Sequence, residues 1–180
     1  MTETANAILL RRRKLSDTSL IISWCTDSLG LIETVARGGR RPKSPFAGKL
    51  DLFFAAEIQI SRSRRSTLHT LTEVVLRDPF VGIRQSYLRT QAASYFVELI
   101  EISTEPEHSA PELFHLLERA LRFLDRNDPD LRAVRHFETE LAQFSGVHDP
   151  TLLKKSPAVA LGALFGRLPR GRAALLRAVG

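Results

Sequence analysis

The residues best suited to chemistry form one basic, glycine-bearing segment, Arg37-Gly38-Gly39-Arg40-Arg41-Pro42-Lys43-Ser44. A nucleotide-hydrolysing P-loop needs a glycine before its Lys-Ser pair, so that backbone amides converge on phosphate. Pro42 occupies that position and has no amide hydrogen. We therefore exclude nucleotide hydrolysis and expect a glycine-permitted turn that presents cations to backbone phosphates. The cations are Arg37, Arg40, Arg41 and Lys43, and the alternative is a merely solvated loop.

Further candidate binding residues lie outside this loop. The run Arg11–Lys14 alternates faces at the end of a predicted strand, so that only half of it would join the loop. Arg62, Arg64 and Arg65 lie on a predicted hairpin tip, where a single strand could pass, although charged tips are also common for solubility alone. Phe53 is a candidate base-stacking platform unless helices cover it. The complete predicted set is Arg37, Arg40, Arg41, Lys43, Arg12, Arg13, Lys14, Lys49, Arg62, Arg64, Arg65 and Phe53.

The residue types that usually carry catalysis do not assemble into a site. The five histidines are scattered, and none lies at helical metal-ligand spacing with a second ligand. Cys25 is the single cysteine, which excludes an internal disulfide framework and a multi-cysteine zinc site. It fits a buried strand position. We predict no catalytic residue, no metal, no cofactor and no small-molecule substrate.

Charge is segregated along the 180-residue chain, whose net charge is +6. Residues 1–75 carry 12 Lys/Arg against 7 Asp/Glu, residues 76–150 carry 8 against 13, and residues 151–180 carry 6 against none. A basic block attracts a polyanion because neutralised phosphates release counterions, although a generally basic, solvated surface explains the charge equally well. No apolar run approaches the roughly 20 residues of a membrane-spanning helix. The start lacks the order of a secretory signal, so we expect a cytoplasmic protein without a membrane partner.

Hydrophobic periodicity predicts an all-β part up to about residue 77. The period there is two, with turn signals between short segments. In the fourth segment we expect Leu52, Phe54, Ala56, Ile58 and Ile60 to point inward and Phe53 to point outward. Five short strands fit a small closed barrel of the oligonucleotide-binding (OB-fold) kind. We place the strands at Ala7–Arg13, Ser19–Thr26, Leu31–Arg37, Asp51–Ser61 and Thr67–Leu76.

After Asp78-Pro79 the period changes to 3.6, which predicts helices. The first covers residues 88–102, the second 113–124 and the third 131 to about 146. Residues 151–180 favour one or two further short helices, around 161–165 and 173–179. The predicted fold is therefore α+β, with a five-stranded OB-fold barrel over residues 1–77 and an all-α domain over residues 78–180.

The order of these motifs resembles the RecO recombination mediators of bacterial DNA repair. The resemblance is good over about residues 5–102 and weaker afterwards. Its motifs are a first strand ending in arginines, Leu20–Thr26, Leu29-Gly30-Leu31 leading into Ala36–Ser44, Leu68–Glu73, the helix segment Ala93–Leu99, and later His136-Phe137-Glu138 with Leu141.

Membership would imply an OB-fold barrel, a helical C-terminal domain and no enzymatic turnover. The implied work is annealing of complementary strands and help in loading recombinase. The implied partners are single-stranded or duplex DNA, a RecR-like protein and the C-terminal tail of the single-stranded DNA-binding protein. Many members carry a four-cysteine zinc module after the third helix. This chain has no cysteine there, so we expect a short member without the module. The basic block Lys154–Arg177 is then a reduced version of that region, or it contacts DNA or the acidic tail of a partner.

The sequence is compatible with three functions. The leading one is a non-enzymatic mediator whose barrel binds single-stranded DNA with steep salt dependence and weak sequence specificity. The alternative is a protein-interaction adaptor, whose helical domain captures the acidic, hydrophobic-ended tail of the single-stranded DNA-binding protein in a groove. A nuclease is a distant third.

Overall fold

Alternating apolar and polar residues form five strands in the computed structural model, which describes residues 1–180. The strands close into a barrel with neighbour order β1-β2-β3-β5-β4, in which the β3–β5 pair is parallel and the other pairs are antiparallel. Closure and five short strands are the features of an OB-fold barrel, so the predicted fold class is confirmed. The strands are β1 (Thr2–Lys14), β2 (Leu20–Thr26), β3 (Leu31–Ala36), β4 (Ala55–Ser61) and β5 (Leu68–Asp78).

The barrel core consists of the inward-facing side chains of all five strands. In β4, Ile58 and Ile60 are fully buried, while Glu57, between the inward-facing Ala56 and Ile58, is half-buried. Trp24 of β2 is also fully buried, and its indole N–H donates to Thr34 Oγ1 at 2.9 Å. The one polar atom of this large side chain is therefore satisfied inside the core.

The predicted start of the first strand was Ala7, but β1 starts at Thr2. Its first residues are part of the strand because they pair with β4. Thr2 to Ile8 pair with β4, and Ala7 to Lys14 pair with β2. The register shifts between Leu9 and Arg11, which is a bulge. A bulge bends a strand, so one long strand serves two neighbours and closes the barrel.

The predicted start of the fourth strand is wrong. Leu52 and Phe53 lie in a turn before Ala55, and Phe53 has a positive φ of 70°. A positive φ interrupts the extended backbone on which the alternation of side chains depends. Phe53 is consequently 4% exposed and Leu52 is 39% exposed, the reverse of the prediction. Phe53 is part of the interior and offers no surface for stacking a base.

One segment from the later half of the sequence belongs to the barrel unit, which comprises Met1–Phe80 and Thr104–Phe114. The Glu107 N–H donates to the Leu31 carbonyl at 2.9 Å, beside the start of β3. Gly30 precedes this contact with a φ of +72°, and a Cβ there would lie 2.2 Å from the carbonyl oxygen of His108. Both the backbone conformation and the close approach require glycine.

Apolar residues at helical spacing form the second unit, which comprises Val81–Ser103 and His115–Gly180. A 3-10 turn at Val81–Gln85 precedes the helices, and the short helix at residues 150–155 was not predicted. None of the helices has both the length and the apolar character that crossing a bilayer requires. The helices of the chain are α1 (Tyr87–Ser103), α2 (Pro111–Leu124), α3 (Leu131–Phe144), α4 (Pro150–Lys155), α5 (Pro157–Phe165) and α6 (Arg172–Val179).

A buried carboxylate joins three of these helices. Glu138 of α3 is fully buried, and its Oε1 accepts from the Tyr95 hydroxyl at 2.6 Å and from Arg172 Nε at 2.7 Å. Burial, and then the charge of Glu138, raises the pKa of the Tyr95 phenol. The hydrogen bond to Glu138 raises the pKa of Arg172. The phenol therefore stays a neutral donor and Arg172 supplies the single positive charge that compensates the carboxylate.

Replacing Gly30 by alanine should displace the 104–114 segment from the barrel. We expect the free energy of unfolding to fall by about 3 kcal/mol, from backbone strain together with the steric conflict at His108. Urea denaturation measures the loss. Gly48→Ala is the matched control, because Gly48 has a φ of +73° but no atom within 4 Å of a Cβ. It should cost only about 1 kcal/mol, and equal losses for the two variants would contradict a steric role for Gly30.

Replacing Arg172 by alanine should leave Glu138 as an uncompensated buried charge. We expect the free energy of unfolding to fall by about 3 kcal/mol, as for other broken buried ion pairs. Arg177→Ala removes the same charge from the same helix at an exposed position outside any ion pair. Its cost should stay below about 0.5 kcal/mol. If thermal and urea denaturation gave the two variants the same stability, the carboxylate would not be what holds α6.

Candidate nucleic-acid interface

The basic loop that follows β3 is a tight turn. Its backbone folds back through hydrogen bonds from Gly39 N to the Ala36 carbonyl at 3.1 Å and from Arg41 N to the Gly38 carbonyl at 3.0 Å. Gly38 has a φ of +67°, a conformation that glycine adopts without strain. Backbone groups, not the cationic side chains, close this turn. Arg37, Arg40, Arg41 and Lys43 are all exposed.

Arg40 differs from the other cations of the loop. Its guanidinium Nη1 donates to the carbonyls of Ser16 and Asp17, each at 3.1 Å, and its backbone N–H donates to the Thr18 carbonyl at 3.0 Å. Arg40 thus fastens the basic loop to the turn between β1 and β2. The remaining three cations, Arg37, Arg41 and Lys43, form no side-chain hydrogen bond or ion pair.

The cations at the end of β1 lie at the same end of the barrel as the basic loop. Lys14 pairs with Leu20 of β2, which in turn pairs with Ala36 at the end of β3. These cations have partners of their own, mostly in exposed pairs of the kind that contribute little energy and exchange readily. Arg12 donates to the Leu50 carbonyl at 2.9 Å, Arg13 pairs with Glu33 at 3.1 Å, and Lys14 pairs with Asp17 at 2.7 Å.

The hairpin-tip arginines lie elsewhere. Glu33, the third residue of β3, pairs in parallel with Leu68 at the start of β5. Arg62 of the tip pairs with Glu107, whose N–H donates to the Leu31 carbonyl, so the tip is beside the beginning of β3. The basic loop follows the end of the same strand, roughly 17 Å away along its length. The structure therefore does not bring Arg62, Arg64 and Arg65 together with the basic loop.

Besides Arg12 and Arg40, two further predicted binding residues are held by structural contacts. Arg62 is half-buried, with its guanidinium on Glu3 at 3.0 Å and on Glu107 at 3.0 Å. The hydrogen bond to Glu3 is the largest of the contacts that raise its pKa. Lys49 Nζ donates to the Val74 carbonyl at 3.0 Å. By contrast, Arg64 and Arg65 are exposed and their side chains have no partner.

A pocket of about 450 Å³ opens between the basic loop and the β1–β2 turn. The loop contributes Arg37, Gly38 and Arg41, and Val35 of β3 lies beneath them. The opposite wall comes from residues that sequence reasoning missed. These are Leu15, Thr18 and Ser19, in and beside the β1–β2 turn. Their only signal in the sequence is that this turn is short and rich in serine. Strand pairing places the turn opposite the basic loop.

The chain offers no residues that fit the zinc module of the family it resembles. Its single cysteine, Cys25, lies in β2 and is 3% exposed, and burial raises the pKa of its thiol to about 12. A thiol in that state neither attacks nor ligates at neutral pH. No group of three or more histidine, cysteine or acidic side chains could hold a metal ion.

The helical unit carries an apolar groove of about 590 Å³. The rings of Phe96 and Phe137 stack at 4.1 Å, and Phe123 is 42% exposed on the wall. Cationic side chains stand at the rim, where Arg119 pairs with Glu140. Arg132 forms no side-chain hydrogen bond or ion pair. Phe96 and Phe137 are each 2% exposed, so the groove offers a ligand one exposed phenylalanine, Phe123, and one unpaired positive charge.

Comparison with known proteins identifies two family models along the chain. Residues 1–80 match the model described as "Recombination protein O N terminal", and residues 84–148 match the one described as "Recombination protein O C terminal". The first covers all five strands, and the second covers α1 to α3. Helices α4, α5 and α6 follow the matched region.

Three curated relatives illustrate the similarity, each named "DNA repair protein RecO". The protein of Rhodopirellula baltica is 33% identical over 144 residues, which is 80% of this chain and 53% of the relative. That of Syntrophus aciditrophicus is 30% identical over 145 residues, 81% of this chain and 56% of the relative. That of Idiomarina loihiensis is 34% identical over 145 residues, 78% of this chain and 59% of the relative.

The chain spans somewhat more than half the length of these relatives. Both family models describe parts of one protein, they match in the order of the chain, and the closed five-stranded barrel lies under the first. On these grounds the chain belongs to the RecO family.

Proposed function

We propose that this protein acts in DNA repair and recombination as a cytoplasmic, non-enzymatic mediator whose OB-fold barrel binds single-stranded DNA. The observation that carries the proposal is the contrast between free and paired cations at one end of the barrel. Arg37, Arg41 and Lys43 are exposed and unpaired, on a loop that Arg40 holds in place. Cations fixed in position and without a partner gain most from neutralising phosphates.

Binding through phosphates also supports the proposed annealing and recombinase loading. Contacts to the phosphate backbone fix where a DNA strand lies but do not recognise the edges of its bases. A strand held in this way keeps most of its bases available for pairing with a complementary strand or for transfer to another protein. The cations at the end of β1 lie at the same end of the barrel and extend the track, because their surface ion pairs are weak enough to exchange for phosphate.

A salt titration of single-stranded DNA binding tests the loop. In the variant Arg37→Ala/Arg41→Ala/Lys43→Ala, the slope of log K against log salt concentration should become less steep by about two units, at about 0.7 per lost phosphate contact. Fluorescence anisotropy with an oligothymidylate at several salt concentrations gives the slope. The same series with duplex DNA measures the strand preference.

The control removes the same charge from exposed positions outside the loop and the end of β1. Arg77 and Arg122 pair with acidic partners, each at 2.9 Å, Arg126 is exposed on the helical unit, and all three are replaced by alanine. This variant should change the slope by less than about one unit. Equal changes in the two variants would mean that net charge alone governs binding, and an unchanged slope in the loop variant would remove the loop from the site.

The aromatic groove favours a second candidate function, that of a protein-interaction adaptor. An exposed phenylalanine on an apolar groove and an unpaired arginine suit an acidic peptide that ends in apolar residues. We propose the acidic C-terminal tail of the single-stranded DNA-binding protein as the ligand. We propose a RecR-like protein as a further partner on the family relationship alone.

Phe123→Ala in the full chain tests the groove. A labelled peptide of that acidic tail should bind this variant about tenfold more weakly, because truncation of a central aromatic contact costs about 1–2 kcal/mol. Phe144→Ala is the control, since Phe144 is 47% exposed on the same unit and lies outside the groove. Its affinity should match the wild type. Tail binding that is absent in the wild type, or equally weakened in both variants, would count against the adaptor.

A further inference from the structure

The pocket between the basic loop and the β1–β2 turn is preformed. Three contacts hold its two walls together: Arg40 N donates to the Thr18 carbonyl at 3.0 Å, Gly38 N donates to Ser19 Oγ at 3.3 Å, and the Arg40 guanidinium caps the Ser16 and Asp17 carbonyls. A site that is already formed loses little conformational entropy when a ligand enters. The fixed geometry distinguishes this pocket from the rest of the cationic surface.

The lining of the pocket combines two kinds of chemistry. Arg37 and Arg41 contribute positive charge without a partner, and the Thr18 hydroxyl makes no hydrogen bond. Leu15 and Val35 contribute an apolar surface, with Leu15 49% exposed at the entrance. A free phosphate would make no use of the leucine and valine, and an apolar ligand would make no use of the arginines. A nucleotide has both an anionic group and a flat ring with polar edges.

We propose that this pocket seats one unstacked nucleotide of a bound DNA strand, with its base against Leu15 and Val35 and its phosphate on Arg37 and Arg41. The inference rests on the proposed function, because it assumes that the loop binds DNA. The pocket would make the protein prefer single-stranded DNA to duplex DNA. A base in a duplex is paired and stacked and cannot enter the pocket, whereas a base in a single strand is free to do so.

The pocket makes a contribution that salt does not screen. Phosphate contacts set the salt slope, while burial of a base against Leu15 changes the affinity at every salt concentration by the same factor. Loss of the base and loss of Leu15 should therefore have the same consequence. The two losses should not add, because they remove the same contact.

The experiment compares oligothymidylate with an abasic strand of equal length, each bound by the wild type and by Leu15→Ala. Wild type should bind the abasic strand about five- to tenfold more weakly, the lower part of the range for a base on an aromatic side chain. Leu15→Ala should lose about fivefold on oligothymidylate and less than about twofold on the abasic strand and on duplex DNA. Its salt slope should equal that of the wild type.

Leu52→Ala is the control, since Leu52 is 39% exposed on the same unit and outside the pocket. If Leu15→Ala and Leu52→Ala behave alike, or if wild type binds both strands equally, the nucleotide pocket is overturned while the phosphate site stands. If wild type binds no DNA, or if its salt slope is independent of Arg37, Arg41 and Lys43, the proposed function fails and the pocket fails with it.

Discussion

The parallel pairing of β3 with β5 is the constraint on which the candidate site depends. It joins Glu33, Thr34 and Val35 to Leu68, His69 and Thr70, and it closes the barrel. The basic loop leaves β3 directly after this pairing, at Ala36. The closed sheet therefore sets the position of the loop. The turn within the loop needs only glycine and two backbone hydrogen bonds. Closure also separates the hairpin tip from the loop, because the tip enters β5 at the other end of β3.

The cations of the barrel unit fall into three groups by what they contact. Arg12, Arg40 and Lys49 donate to backbone carbonyls, and Arg62 lies between two carboxylates, so these four hold segments of the barrel together. Arg13, Lys14 and Arg77 form exposed pairs with carboxylates, which a phosphate could replace. The third group has no partner and belongs to the loop and the tip. A count of arginines overstates the charge available to a ligand, since a cation that already bonds must first lose that bond.

The fold class, the five strands and the three long helices could be predicted because each rests on a local period of two or 3.6 residues. The error at Phe53 arose where a positive φ breaks the period, which alternation cannot reveal in a non-glycine residue. The Thr104–Phe114 segment and the bonds of Arg40 depend on contacts between residues far apart in sequence. The loop cations were identified from their types, but the other wall of the pocket required the register that sets Lys14 beside Leu20.

Arg40 differs from the other three cations of the loop because its side chain is used for the geometry of the loop. Its guanidinium satisfies two carbonyls of a turn that has few backbone partners, and its own amide bonds a third. Its loss would leave those groups to water and free the loop to move relative to the β1–β2 turn. The three unpaired cations would keep their charge but lose their fixed spacing. On the proposal that the loop binds phosphate, the loss of this preorganisation would lower the affinity, although the Arg40 guanidinium already donates to two carbonyls.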